Sequence, residues 1–230
     1  MDSEHLAPAR PHGRAAADLT RVRVAHRAIL ADIERLAGLL AALAAAAEPA
    51  EPARAEAIAG YVHRYNDVVR GHHREDEILW PVVLDAVPDA AEAVAGIVRF
   101  VADHEALDAL RADCDAVAAR FAAEPGRHAG RLAGLLADQR DLLAAHLKAE
   151  EEHVLPVIAG QVPATAYAAA QARIRRVDRS ADPAWSRAWL LSHATEDEAR
   201  RLLPAGGGGP AVLEPQLRAY AAEASAVFAG

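Results

Sequence analysis

The chain has 230 residues, 53% of them hydrophobic but only 4% aromatic, and a formal net charge of -8. That balance disfavours non-specific nucleic-acid binding, whose affinity comes from neutralising phosphates. The longest apolar runs, such as LAGLLAALAAAA at 36–47, are too short and too Ala-rich to span a bilayer. The single cysteine, Cys114, rules out an intrachain disulfide and fits a reducing, cytoplasmic compartment.

Residues 1–15, with Pro8, Pro11 and Gly13 and no periodicity, read as a disordered tail. The first helical pattern runs from Ala16 to Ala47. Its seam of Val22, His26, Ile29, Ile33, Leu36, Leu40 and Leu43 advances in alternating helical steps, and His26 lies within it. The second runs from Ala53 to Val87, with Pro81 expected to kink it or end its regular part. Its seam is Ile58, Val62, Tyr65, Val69, His72, Asp76, Leu79 and Val83. His73 and Glu77 fall in line with Asn66 and Arg70, a polar stripe.

The third pattern runs from Ala90 to Ala123 and stops at Pro125-Gly126; Ile97, Phe100, His104, Leu107, Cys114 and Phe121 mark its inner side. The fourth runs from Arg127 to Ala159, with Leu135, Leu142 or Leu143, His146, Glu150 and Val157 inward. His153 follows His146 by one heptad and is expected to face in as well. No apolar alternation of period two supports a strand. Long helices joined by short breaks predict an all-α, up-down-up-down four-helix bundle over residues 16–160.

Residues 161–230 form a C-terminal helical extension. Helices are expected over Ala164–Val177, from Trp185 to before Pro204, and over Glu214–Phe228, with GGGGP at 206–210 a flexible break. Trp185 and Trp189, one turn apart, share a face that would dock this appendage on the bundle.

Each bundle helix therefore delivers a histidine inward, and two add a carboxylate one turn later: His72 with Asp76, and His146 with Glu150. A lone inward histidine is ordinarily a core residue with a partner. Four at one depth, judged at about 1.5 Å of rise per residue, together with two carboxylates, are costly to bury without compensation. A cation supplies it, since imidazole and carboxylate are good ligands for iron, manganese or zinc.

These residues resemble the hemerythrin-like (HHE cation-binding) family over residues 16–160. HLKAEEEHVLP at 146–156 is close to its His-x3-Glu-x5-Pro signature, and HHREDEILWP at 72–81 resembles a first copy. The resemblance implies a bundle around two non-haem iron ions bridged by carboxylates. His26, His72, Asp76, His104, His146 and Glu150 are then the ligands. Manganese or zinc would take the same donors. The chain departs from the pattern twice. Gly71 stands where the family has its helix-two histidine. Heptad phase favours His72 with Asp76, while a Glu75 bridge or a His73 and Glu77 pair stays open. Asp108 stands where oxygen carriers have a further helix-three histidine, so that one iron loses an imidazole or Asp108 replaces it.

The remaining polar residues have plainer readings. Tyr65 is read as core packing, with hydrogen bonding to a bound small ligand as its other role. Glu77, Glu151 and Glu152 belong to solvated faces, and His153 has a supporting or ligand role. His63, His128 and His193 read as surface residues, with a second metal site of His193, Glu196 and Asp197 as the other option. Cys114 reads as inert core.

The expected function is binding or sensing of dioxygen or nitric oxide, or handling of peroxide. The alternatives are a di-iron oxidase or oxygenase acting on a small organic substrate, and iron storage or a structural metal. Catalysis as such stays open. The expected partner is a small diatomic ligand or peroxide, with neither nucleic acid nor membrane.

Overall fold

The structure, a computed structural model, describes residues 17–87, 91–177, 181–203 and 209–229. The tail expected over residues 1–15 lies outside them. Among the described residues all regular structure is helical, as expected: α1 (Thr20–Ala45), α2 (Pro52–Ala86), α3 (Ala91–Ala123), α4 (Pro125–His153), α5 (Leu155–Gly160), α6 (Ala164–Val177), α7 (Pro183–Ser192), α8 (Glu196–Leu202) and α9 (Gly209–Phe228).

Local chemistry sets the ends. The Asp18 carboxylate accepts the Thr20 N–H at 2.9 Å and starts α1. Prolines open α2, α4 and α7, where a missing N–H costs nothing. Pro81 stays inside α2 rather than ending it. It lies on the exposed side, so the carbonyl it frees, that of Glu77, also faces water. The expected fourth helix is instead two. Pro156 cannot donate to the preceding turn, and the helix restarts at Leu155 after Val154. The helix expected from Trp185 also splits, because Thr195 and Glu198 form a reciprocal capping box that starts α8. Residues 206–208 of the glycine run lie outside the described residues, while Gly209 and Pro210 open α9, ahead of the expected start at Glu214.

α1 packs mainly on α4, α4 on α3 and α3 on α2, whereas α1 and α2 touch little. The appendage covers that open seam: α6 and α9 lie on α2, α7 and α8 on α1, and α7 on α9. Trp185, Trp189, Tyr220 and Val227 join the core around Ile29, Ile33, Tyr61 and Leu132. Tyr167 and Ile174 of α6 join the second core, around Leu79, Trp80 and Phe100.

Two buried polar knots hold this end of the molecule. In the first, Gln139 donates to Asn66 Oδ1 at 3.1 Å and Cys114 to Gln139 Oε1 at 3.3 Å, tying α2, α3 and α4. In the second, the Asp32 carboxylate accepts from Tyr61 Oη at 2.5 Å and Trp189 Nε1 at 2.8 Å, with Arg35 at 3.1 Å and His193 Nε2 at 3.6 Å. Asp32 thereby fastens α7 to α1 and α2. No described helix is long and apolar enough to cross a membrane.

Candidate metal centre

Seam residues of α1–α4 converge in the bundle interior. His26 of α1, His72 and Asp76 of α2, His104 of α3, and His146 and Glu150 of α4 are all buried. Glu150 is central. Its Oε2 lies 3.5 Å from His26 Nε2 and 3.8 Å from His72 Nε2, and its Oε1 lies 3.8 Å from His146 Nε2. Asp76 spans the same divide, with Oδ2 3.4 Å from His72 Nε2 and 3.8 Å from His104 Nε2. Three overlapping groups result: His26, His72 and Glu150; Asp76, His104, His146 and Glu150; and His73, His104 and His146, each with its donor atoms within 4.8 Å of one another.

The donors are inadequately satisfied by the protein alone. His26 Nε2, His72 Nε2 and Asp76 Oδ2 find no hydrogen-bond partner among the described residues. The Nε2 atoms of His104 and His146 face each other at 3.2 Å, so either one carries a proton or both lone pairs point at a shared cation. Burial dominates the titration. It holds His26, His72 and His146 below the ordinary histidine range and takes His104 down to about 3. It also pushes Asp76 well up and Glu150 to about 8, aided by neighbouring carboxylates. Neutral imidazoles are ready to ligate. The protonated acids are the form a cation would displace. Buried, partnerless imidazole nitrogens beside two carboxylates fit a bound metal cation.

Several side chains outside that set steer it. Glu151 sits 3.1 Å from His26 Nδ1, and Asp103 3.4 Å from His146 Nδ1. Such partners orient ligating imidazoles and raise their basicity. The acidic run around Glu151 points to solvent, and the side chain is half-exposed, but its length lets the carboxylate reach inward. The ring of Trp80 stacks on His104 at 4.7 Å, and Phe100 meets His146 edge-on at 5.2 Å.

The other candidate side chains lie in different settings. His73 is buried rather than on a polar stripe, and so is Asn66, because the inner face of α2 is wide enough to meet α3 as well. Its ring stacks on His104 at 4.0 Å. Glu77 is exposed, and Glu75 points away to Arg21 at 2.5 Å. His153 is exposed at the last residue of α4, because the buried line there passes from His146 through Glu150 to Val154. Asp108 is exposed and accepts from Arg111, so it does not replace an imidazole. Tyr65 donates to the Ile29 carbonyl at 3.1 Å and serves the core. His193 turns to Asp32, while Glu196 and Asp197 pair with Arg200, so these three form no second site. Cys114 is buried with its thiol pushed up to about 12, consistent with inert core.

Two spaces adjoin the centre. A cavity of about 10 Å³ touches both Asp76 and Glu150 and is otherwise walled by apolar groups that include Val22, Leu79, Leu155 and the ring of Tyr167. A cleft of about 80 Å³ under α7 reaches His72, with Arg21, Gly71, Glu75 and Trp189 among its walls.

Among known families, the model described as the hemerythrin HHE cation binding domain matches residues 17–158. No curated protein and no solved structure matches the chain.

Proposed function

Because the chain belongs to the hemerythrin HHE cation-binding family, we propose that it is a non-haem di-iron protein. Its centre would bind or sense dioxygen or nitric oxide, or handle peroxide. His26 and His72 would hold one ion and His104 and His146 the other, with Glu150 and Asp76 between them. The observation that carries this reading is the placement of Glu150, whose two oxygens address different histidine sets. A bound metal pair supplies Lewis acidity and redox equivalents to a small ligand. The protein's own share is to keep the imidazoles neutral, orient His26 and His146 through Glu151 and Asp103, and exclude bulk water. The single cysteine, buried and unbridged, supports a reducing, cytoplasmic setting.

Room decides between a small ligand and an organic substrate. Sites for small organic molecules usually occupy about 300–1,000 Å³. The cavity at the carboxylates is about 10 Å³, the scale of one water-sized sphere. That favours a diatomic ligand or peroxide over the oxidase or oxygenase reading.

Metal analysis of protein purified after iron-replete expression tests the proposal, with about two iron ions per chain expected. Reduced protein exposed to air should change its absorption reversibly if it carries or senses dioxygen. Oxygen evolution from peroxide would favour peroxide handling, and an unresponsive spectrum would favour storage or a structural metal. Transition metal well below about one ion per chain would sink the proposal.

A further inference from the structure

We infer that Trp185, Trp189, Tyr61 and Tyr220, gathered around Asp32 where the appendage meets the bundle, form a redox-active cluster that passes electrons to the metal centre, with Asp32 taking the Tyr61 proton. The destination of those electrons rests on the peroxide-handling reading above; the oxidation chemistry of the cluster does not.

The chain holds only three tryptophans and four tyrosines, and two of each meet here. The rings of Trp189 and Trp185 stack with centroids 6.4 Å apart, and Trp185 lies 5.5 Å from Tyr61 and 5.6 Å from Tyr220. Every donor in this row but one ends on a carboxylate. Tyr61 Oη and Trp189 Nε1 both donate to Asp32 Oδ2, at 2.5 and 2.8 Å, and Trp185 Nε1 donates to Glu223 at 3.1 Å. With the Tyr61 proton committed to Asp32, Tyr220 donates to the Tyr61 oxygen at 3.0 Å. The row has two ends. Trp189 and His72 line the same cleft under α7, and Tyr220 lines an open groove with Arg35, Ser192 and His193.

Docking alone asks for an acceptor, not for a charged one. An amide oxygen at position 32 would accept from both Tyr61 and Trp189 without burying an ion. A carboxylate adds a base. Burial would raise Asp32, but the close His193 imidazole and the bonds from Tyr61 and Trp189 hold it ionised, while burial and the Asp32 charge keep the Tyr61 phenol protonated. The proton therefore sits on the phenol beside a vacant acceptor. When Tyr61 loses an electron, its O–H bond breaks and the proton passes to Asp32 Oδ2, leaving a neutral radical rather than a buried cation. Tyr65, equally buried, donates instead to the Ile29 carbonyl, which is no base. Peroxide reduced to water at the centre consumes two electrons, with protons from solvent. A soluble one-electron reductant of the ascorbate class, meeting Tyr220 from the groove, returns each electron, and Asp32 returns the proton to Tyr61.

Flash oxidation of the metal-free full-length protein by a ruthenium polypyridyl photo-oxidant, followed by transient absorption and electron paramagnetic resonance, reads the cluster without the metal. A tyrosyl radical should form, lose most of its yield in Tyr61→Phe and keep it in Tyr65→Phe. Asp32→Asn retains an acceptor oxygen but not the base, and should slow radical formation by about 100-fold. If Asp32→Asn lacks the wild-type helical signal, slower formation by the unaltered protein in deuterium oxide carries the same test. A radical yield indifferent to Tyr61→Phe in a folded variant, or a rate unmoved by both Asp32→Asn and deuterium oxide, would overturn the inference. Iron-loaded protein given peroxide should show the same Tyr61 signal, weaker in Trp189→Phe. Its absence from protein that holds iron would overturn the link to the centre. Failure to take up iron would count against the di-iron reading instead, with the photochemical result still deciding the cluster.

Discussion

Asp32 on α1 and Glu150 on α4 are both buried carboxylates, yet they end in opposite states. Burial alone would raise Asp32, but the close His193 imidazole and hydrogen bonds from Tyr61 and Trp189 outweigh it and hold the group below its ordinary value. Glu150 instead sits among the Nε2 atoms of His26, His72 and His146 at 3.5–3.8 Å. Desolvation dominates there, the Glu151 charge adds to it, and the group rises to about 8. Depth therefore does not distinguish the two; the supply of donors does. The carboxylate that the protein satisfies is a fastening for the appendage. The one set among histidine nitrogens, beside the partnerless Nε2 atoms of His26 and His72, is where an outside cation fits.

Removing each carboxylate breaks the comparison most directly. Glu150→Ala should cost more than about 100-fold in metal affinity, because it removes the carboxylate that faces His26, His72 and His146, while an outer partner alone is worth about 10–100-fold; metal analysis of the purified variant checks this. Asp32→Ala should leave metal content unchanged and instead destabilise the fold by about 3 kcal/mol, since Tyr61 and Trp189 lose their acceptor. Chemical denaturation of the metal-loaded protein reads that loss. If Asp32→Ala also sheds metal, the two nodes are not separable.

A milder break acts through pH. The folded pKa of Glu150 lies above its ordinary 4.5. In the metal-free protein its stabilising contribution is present below 4.5 and lost as pH rises through about 8. A cation expels that proton, so metal binding strengthens over the same window. The gap in melting temperature between cobalt-loaded and metal-free protein should widen from about pH 5 to pH 8. A gap independent of pH would contradict the account of Glu150. Asp32, being depressed, contributes above its ordinary value and loses that contribution only in stronger acid.

Smaller changes sharpen the picture. Glu151→Gln or Asp103→Asn should weaken metal binding by about tenfold without abolishing it, as read by competition with a chelator. Gly71→Ala should raise stability by about 0.5–1 kcal/mol, because a Cβ there meets nothing within 4 Å and the residue lies inside α2. Its melting curve is the measurement.

The inward histidines His26, His72, His104 and His146 were legible because apolar residues flank each at heptad spacing. His73 was not, because one seam per helix is too narrow a template for α2, which packs on α3 and on the appendage. A strict heptad step from His146 points to His153, but the buried line at the end of α4 runs through Glu150 and Val154 and leaves His153 in solvent. Glu151 looked solvated because it sits in an acidic run, and only its reach to His26 reveals another use. Asp32 carried no signal at all. Its partners Tyr61 and Trp189 lie 29 and 157 residues away in sequence, and no local spacing announces such a meeting. The helices of the appendage were visible by period, but the split between α7 and α8 depended on a capping box, which overrides continuity of the apolar pattern.

The covering of the α1–α2 seam by α6–α9 has one more consequence. A tethered segment competes at a local concentration that a free molecule rarely reaches. The chain thus behaves as its own subunit along that flank, and any second polypeptide seeking the same berth must first evict a resident already joined to it.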